Sequence, residues 1–114
     1  VSDFCFVLTV TPDRESATRL AGSAVKARLA AGGQVYGPVS SYFWHLGEAG
    51  ESEEWQVVLK TTRVAYADLE RHLVSEHPWD KPEVVAVPLV AGYQPFLEWL
   101  ADSTASRETS RDSV

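Results

Sequence analysis

Residues 34–61, QVYGPVSSYFWHLGEAGESEEWQVVLKT, decide how this chain folds. Valine, tyrosine, phenylalanine and tryptophan crowd 34–46, a composition that favours extended backbone. The Gly37-Pro38 dipeptide inside that run predicts a bulge or bend. Residues 47–52 (GEAGES) read as a loop, and 54–61 (EWQVVLKT) as a second strand. Two strands in direct succession over 39–61 make a long hairpin.

Working outward, 4–9 (FCFVLT) is a continuous apolar run and reads as a strand buried on both faces. Thr11-Pro12-Asp13 then starts a helix, with Thr11 as the cap and Pro12 at the first helical position. Ala17, Leu20, Ala21, Ala24, Val25 and Leu29 recur at helical spacing, and Gly32-Gly33 marks the stop. Downstream, 64–76 reads as a second helix ended by Pro78. Residues 84–89 (VVAVPL) form a short strand whose Pro88 belongs at an edge or a strand end. Residues 93–102 (YQPFLEWLAD) form a C-terminal helix.

The order is therefore β-α-β-β-α-β plus one helix, an α+β ferredoxin-like sandwich with a long hairpin. At about 3.3 Å per residue the hairpin outreaches a compact sheet. An aromatic-rich hairpin with unpaired edges aggregates unless something covers it. Another copy of the chain is the economical cover, which predicts a homo-oligomer. One folded unit is expected over 1–102, followed by a polar, disordered tail over 103–114.

Bulk composition excludes some functions. Carboxylates outnumber Lys and Arg 16 to 10, giving a net charge of −6. A nucleic-acid surface needs a clustered basic stripe, and none is visible, so no nucleic-acid partner is expected. No apolar run approaches the roughly 20 residues of a membrane span, so no membrane partner is expected either. Cys5 is the single cysteine, which rules out an internal disulfide. With no secretory signal pattern at Val1-Ser2-Asp3, a cytoplasmic location is expected.

Candidate sites are few. His45, His72 and His77 match no zinc spacing. His77, just past the second helix, reads as a helix C-terminal cation or cap. Glu48, Glu51, Glu53 and Glu54 match no calcium loop and read as a solvated charged loop.

Six segments, in order, resemble the CutA family of divalent-cation tolerance proteins. They are Val10-Thr11-Pro12-Asp13, Arg28-Leu29-Ala30-Ala31, Ser41-Tyr42-Phe43-Trp44, Leu59-Lys60-Thr61-Thr62, His77-Pro78-Trp79-Asp80-Lys81-Pro82-Glu83, and the stretch from Tyr93 to Leu100. The resemblance implies a homotrimer akin to the PII signalling trimers, with clefts between subunits that bind divalent cations or a small ligand. It places Tyr42, Trp44, Lys60 and Glu83 near such a cleft, with Trp79 where the family usually has tyrosine. Gly32 stands where the family has a cysteine and Gln34 where it has asparagine, and the chain has no methionine. Soft Cu(I) prefers thiolate or thioether ligands, so copper binding is weakened. The cofactor expected is none or a divalent metal ion, with His77 as the candidate ligand. The alternative is a repurposed biosynthetic enzyme acting on a small organic substrate. There Lys60, Glu83 and His77 are the catalytic acid–base groups, and Tyr42, Trp44 and Trp79 hold the substrate.

Overall fold

The computed structural model describes residues 3–105. In chain order the elements are β1 (Phe4–Thr11), α1 (Arg14–Lys26), β2 (Gly32–His45), β3 (Glu48–Thr62), α2 (Tyr66–Glu76), β4 (Val84–Pro88) and α3 (Gln94–Ser103). The four strands form one sheet in the order β2-β3-β1-β4, with every neighbouring pair antiparallel. This is the ferredoxin-like α+β sandwich. Ser103 closes α3, and Ala105 N–H bonds to the Arg28 carbonyl at 2.9 Å. The rest of the expected polar tail, 106–114, lies outside the described residues.

Only one face of the sheet is covered by α1 and α2, and this corrects the reading of β1. Cys5, Val7, Thr9 and Thr11 are buried, while Phe4, Phe6, Leu8 and Val10 between them are only half-buried. A strand with helices on one side alternates, because successive side chains point to opposite faces. The core sits under the helices, where Leu20, Val57, Leu59, Leu69 and Leu73 are fully buried. The other face carries half-exposed Val85 and Val87 of β4.

Thr9 is fully buried on the core side, and its hydroxyl has no hydrogen-bond partner among the described residues. A buried hydroxyl left unpaired costs roughly 1–3 kcal/mol. Valine has the same shape without the hydroxyl. Thr9→Val is expected to be stabilising by about 1 kcal/mol, raising Tm by about 4 °C in a thermal melt.

The helix boundaries differ from expectation for local reasons. Asp13, not Thr11, caps α1, its carboxylate accepting from Ser16 N–H at 2.7 Å. That backbone donor holds the Asp13 carboxyl below its ordinary pKa. Thr11 instead ends β1, its hydroxyl donating to the Asp13 carbonyl at 2.7 Å. At its other end α1 stops at Lys26, because Arg28 turns the chain at φ +62°. Gly32 and Gly33 then open β2. A Cβ on Gly33 would lie 2.8 Å from Leu59 Cδ2, so glycine here permits close packing on β3.

The hairpin is longer than 39–61. His45 pairs with Glu48 across a two-residue turn of Leu46 (φ +51°) and Gly47 (φ +80°). Positive φ at both positions matches the twist of the flanking strands. The expected acidic loop is therefore strand: Glu48, Glu51, Glu53 and Glu54 all lie on β3. A register shift between Tyr36 and Val39 confirms the bulge at Gly37-Pro38. β1 pairs with β3 only from Trp55 to Thr62, so the outer half of the hairpin projects beyond the sheet. The molecule measures 49 × 30 × 23 Å as a result.

Candidate functional site

Where the hairpin leaves the sheet, its root faces the connector 77–83 that leads from α2 to β4. Two clefts lie there. One, of 430 Å³, is lined by Val10, Val39, Ser41, Tyr42, Phe43, Glu54, Gln56 and Glu83. The other, of 420 Å³, is lined by Phe43, His45, Ser52, Glu54, Trp79 and Lys81. Phe43 and Glu54 belong to both. The register explains the grouping, since Val39 lies across from Glu54, Ser41 from Ser52 and Phe43 from Gly50. Cross-strand partners share a face, so these side chains collect on the side without α1 and α2.

His77 anchors the connector. Its Nε2–H donates to the Val10 carbonyl at 2.8 Å, and its Nδ1 accepts from Trp79 N–H at 3.1 Å. One nitrogen donates and the other accepts, which is the neutral imidazole. Burial pushes its pKa below the ordinary histidine value, outweighing the opposite pull of the Val10 hydrogen bond. The cation half of the reading is thereby corrected, while His77 is the residue that caps α2 at its C-terminus. Its ring centroid lies 5.4 Å from that of Trp79. To ligate a metal, His77 has to give up one of its two hydrogen bonds.

The other expected residues divide. Tyr42 and Glu83 line the first cleft and Trp79 the second. Trp44, 79% exposed on the projecting hairpin, lines neither. Lys60 is also outside both. It lies across from Phe6, which lies across from Val87. Glu83 is four residues before Val87, about 13 Å along the strands, so Lys60 and Glu83 make no pair within one chain. Among the described residues the one ion pair is Arg71–Asp68, at 2.8 Å on α2.

Glu54, Gln56, Ser41, Phe43, His45 and Lys81 were missed as cleft residues. Alternation along the strand read at 54–61 places Glu54 and Gln56 on one face, but which distant residues meet that face depends on the register with β1 and β2. Glu54 and Glu83 offer oxygen donors of the kind hard divalent cations take. Yet among the described residues no group of three or more His, Cys, Asp or Glu side chains is placed to hold a metal ion.

A protein-family model described as "CutA1 divalent ion tolerance protein" matches residues 5–103. The chloroplastic protein CutA 1 of Oryza sativa is 34% identical over 98 residues, covering 86% of this chain. The chain spans 55% of that relative's length. The solved divalent cation tolerance protein (Cut A1) of Thermus thermophilus superposes with a TM-score of 0.87 at 32% identity, covering 90% of this chain and 99% of its own. The structure from Archaeoglobus fulgidus has a TM-score of 0.84 at 26% identity and covers 88% and 97%. It is described as a periplasmic divalent cation tolerance protein, which overturns the cytoplasmic expectation. A lone cysteine rules out an internal disulfide in any compartment and so selects none.

Proposed function

Because the chain belongs to the CutA1 divalent ion tolerance family, we propose that it acts in divalent-cation tolerance as a homotrimer that binds cations or a small ligand at clefts between subunits. The observation carrying this reading is the cleft pair at the hairpin root, with Glu54 shared between them and Glu83 at one rim. Two carboxylates attract a divalent cation but leave its sphere unfilled, and Ca²⁺ and Mg²⁺ alike take about six or more ligands. A neighbouring copy supplies the rest. Support for assembly comes from apolar groups left open in one chain: Trp44 is 79% and Leu46 89% exposed on the hairpin. Val85 and Val87 are also open on the sheet face opposite α1 and α2. Large apolar side chains this open, on both faces of one chain, favour burial against further copies.

Sedimentation equilibrium is expected to give three chains per particle. Titration calorimetry with Mn²⁺, Zn²⁺ and Cu²⁺ is expected to show binding that weakens at least about tenfold in the Glu54→Gln/Glu83→Gln double variant. Absence of heat at millimolar metal overturns the cation reading, and a monomer overturns the shared cleft.

A further inference from the structure

On the opposite, helix-covered side of the sheet, edge strand β4 and the first turn of α2 flank a separate cleft of 340 Å³, open to solvent along Arg63, Ala67, Ala86 and Pro88. We propose that it binds a small apolar monocarboxylate, a chain or ring of roughly six to eight carbons with one acid group. The cavity stands apart from the hairpin-root clefts and shares no lining residue with them.

The walls determine the class of ligand. Cys5, Ala67, Ala86 and Pro88 present apolar surface, and the Tyr66 ring adds an aromatic side. A buried thiol such as Cys5 behaves as a small hydrophobe. The small residues are what leave the space open. Cys5 lies directly across from Pro88, and Val7 from Ala86, so one face of two paired strands forms the floor. The volume falls within the range of small-molecule sites.

One cation stands at this apolar space. Arg63 lines the cavity, and its guanidinium has neither an ion pair nor a hydrogen bond among the described residues. A guanidinium binds a carboxylate through two parallel N–H donors. Ala67 lies in the first turn of α2, and the carboxylate of that turn, Asp68, is taken by Arg71 at 2.8 Å, which leaves Arg63 as the charge at the cleft. Negative charge lies on the other side of Tyr66, whose hydroxyl donates to Glu70 at 3.4 Å. That asymmetry favours one carboxylate, at Arg63, and disfavours a second at the far end of the ligand. The site should therefore prefer octanoate to both octane-1,8-dioate and the neutral octan-1-ol.

Calorimetric titration of the full chain with sodium octanoate is expected to give one site per chain, with a dissociation constant on the order of 0.1–1 mM. Octan-1-ol and the dioate should each bind at least about tenfold more weakly, and Arg63→Gln should remove the advantage of octanoate over octanol. Cys5, the single cysteine, is 5% exposed and lines the cavity, so its alkylation by iodoacetamide gives a second readout. Octanoate at saturation should slow it at least about fivefold, and Ala86→Leu, which fills the space, should abolish that protection. Silence in both assays overturns the site. So does equal binding of octanoate and octanol, or an octanoate preference that survives Arg63→Gln.

Discussion

His77→Ala is expected to be destabilising by about 2–3 kcal/mol and to weaken binding at both hairpin-root clefts. The substitution strips the Val10 carbonyl and the Trp79 N–H of their partners and leaves a gap under the connector. Trp79 and Lys81 line one cleft and Glu83 the other, and all three sit on the segment His77 ties to β1. Their loss of position should appear as a tenfold or greater drop in cation affinity, an effect of about 1.4 kcal/mol.

The same residue predicts a pH effect whose sign is set by burial. The folded-state pKa of His77 is lowered, so the unfolded chain takes up a proton at higher pH than the folded one. Stability from the neutral ring is fully present above the ordinary histidine value of 6.5. It falls as pH drops from there through the lowered folded-state value. Protonation makes both ring nitrogens donors and breaks the bond from Trp79 N–H. His77→Gln, which cannot titrate, should flatten this part of the profile. Urea midpoints of wild type and variant, compared from about pH 7.5 to 5, check it. Parallel profiles would sink the assignment.

Gly37→Ala is expected to be destabilising by about 3 kcal/mol, the upper end for overpacking. A Cβ at this position would lie 2.4 Å from Trp55 Cε3 and 2.5 Å from Cδ2. The indole is rigid, packs against the core, and has Arg14 above it at 5.8 Å from guanidinium carbon to ring centroid. Relief requires the bulge to move, and Val39 and Ser41 just beyond it line the first cleft. Binding should fall along with stability. Gly22→Ala is the control, since a Cβ there meets nothing within 4 Å. Gly22 is inside α1, so alanine should add about 0.5–1 kcal/mol. Chemical denaturation of the pair measures the contrast, and similar midpoints would refute the steric argument.

Element type and order were legible because they rest on periodicity and on local backbone chemistry. The β-branched and aromatic runs, the α1 spacing from Ala17 to Val25 and the proline after α2 are all properties of neighbours in sequence. The Gly37-Pro38 bulge was legible for the same reason. The boundaries were less so. A loop over 47–52 was the natural reading of Gly-Glu-Ala-Gly-Glu-Ser, but Leu46-Gly47 turns the chain in two residues and pairing with β2 holds the glutamates extended.

The site divides along the same line. Trp79 and Glu83 could be singled out through the family resemblance, and His77 by its place just past the second helix. That Glu83 shares a cleft with Glu54 follows from strand register, and that Lys60 does not follows from the same register. The state of His77 was likewise beyond the sequence, since its partner Val10 is 67 residues away. So is the cavity at Arg63, which exists only where β1, β4 and α2 meet. By itself the sequence determined which elements form and in what order, because local sterics and hydrophobic period act over a few residues. The tertiary structure alone decided which charges and rings face one another, because burial and hydrogen-bond partners come from strands and helices distant in the chain.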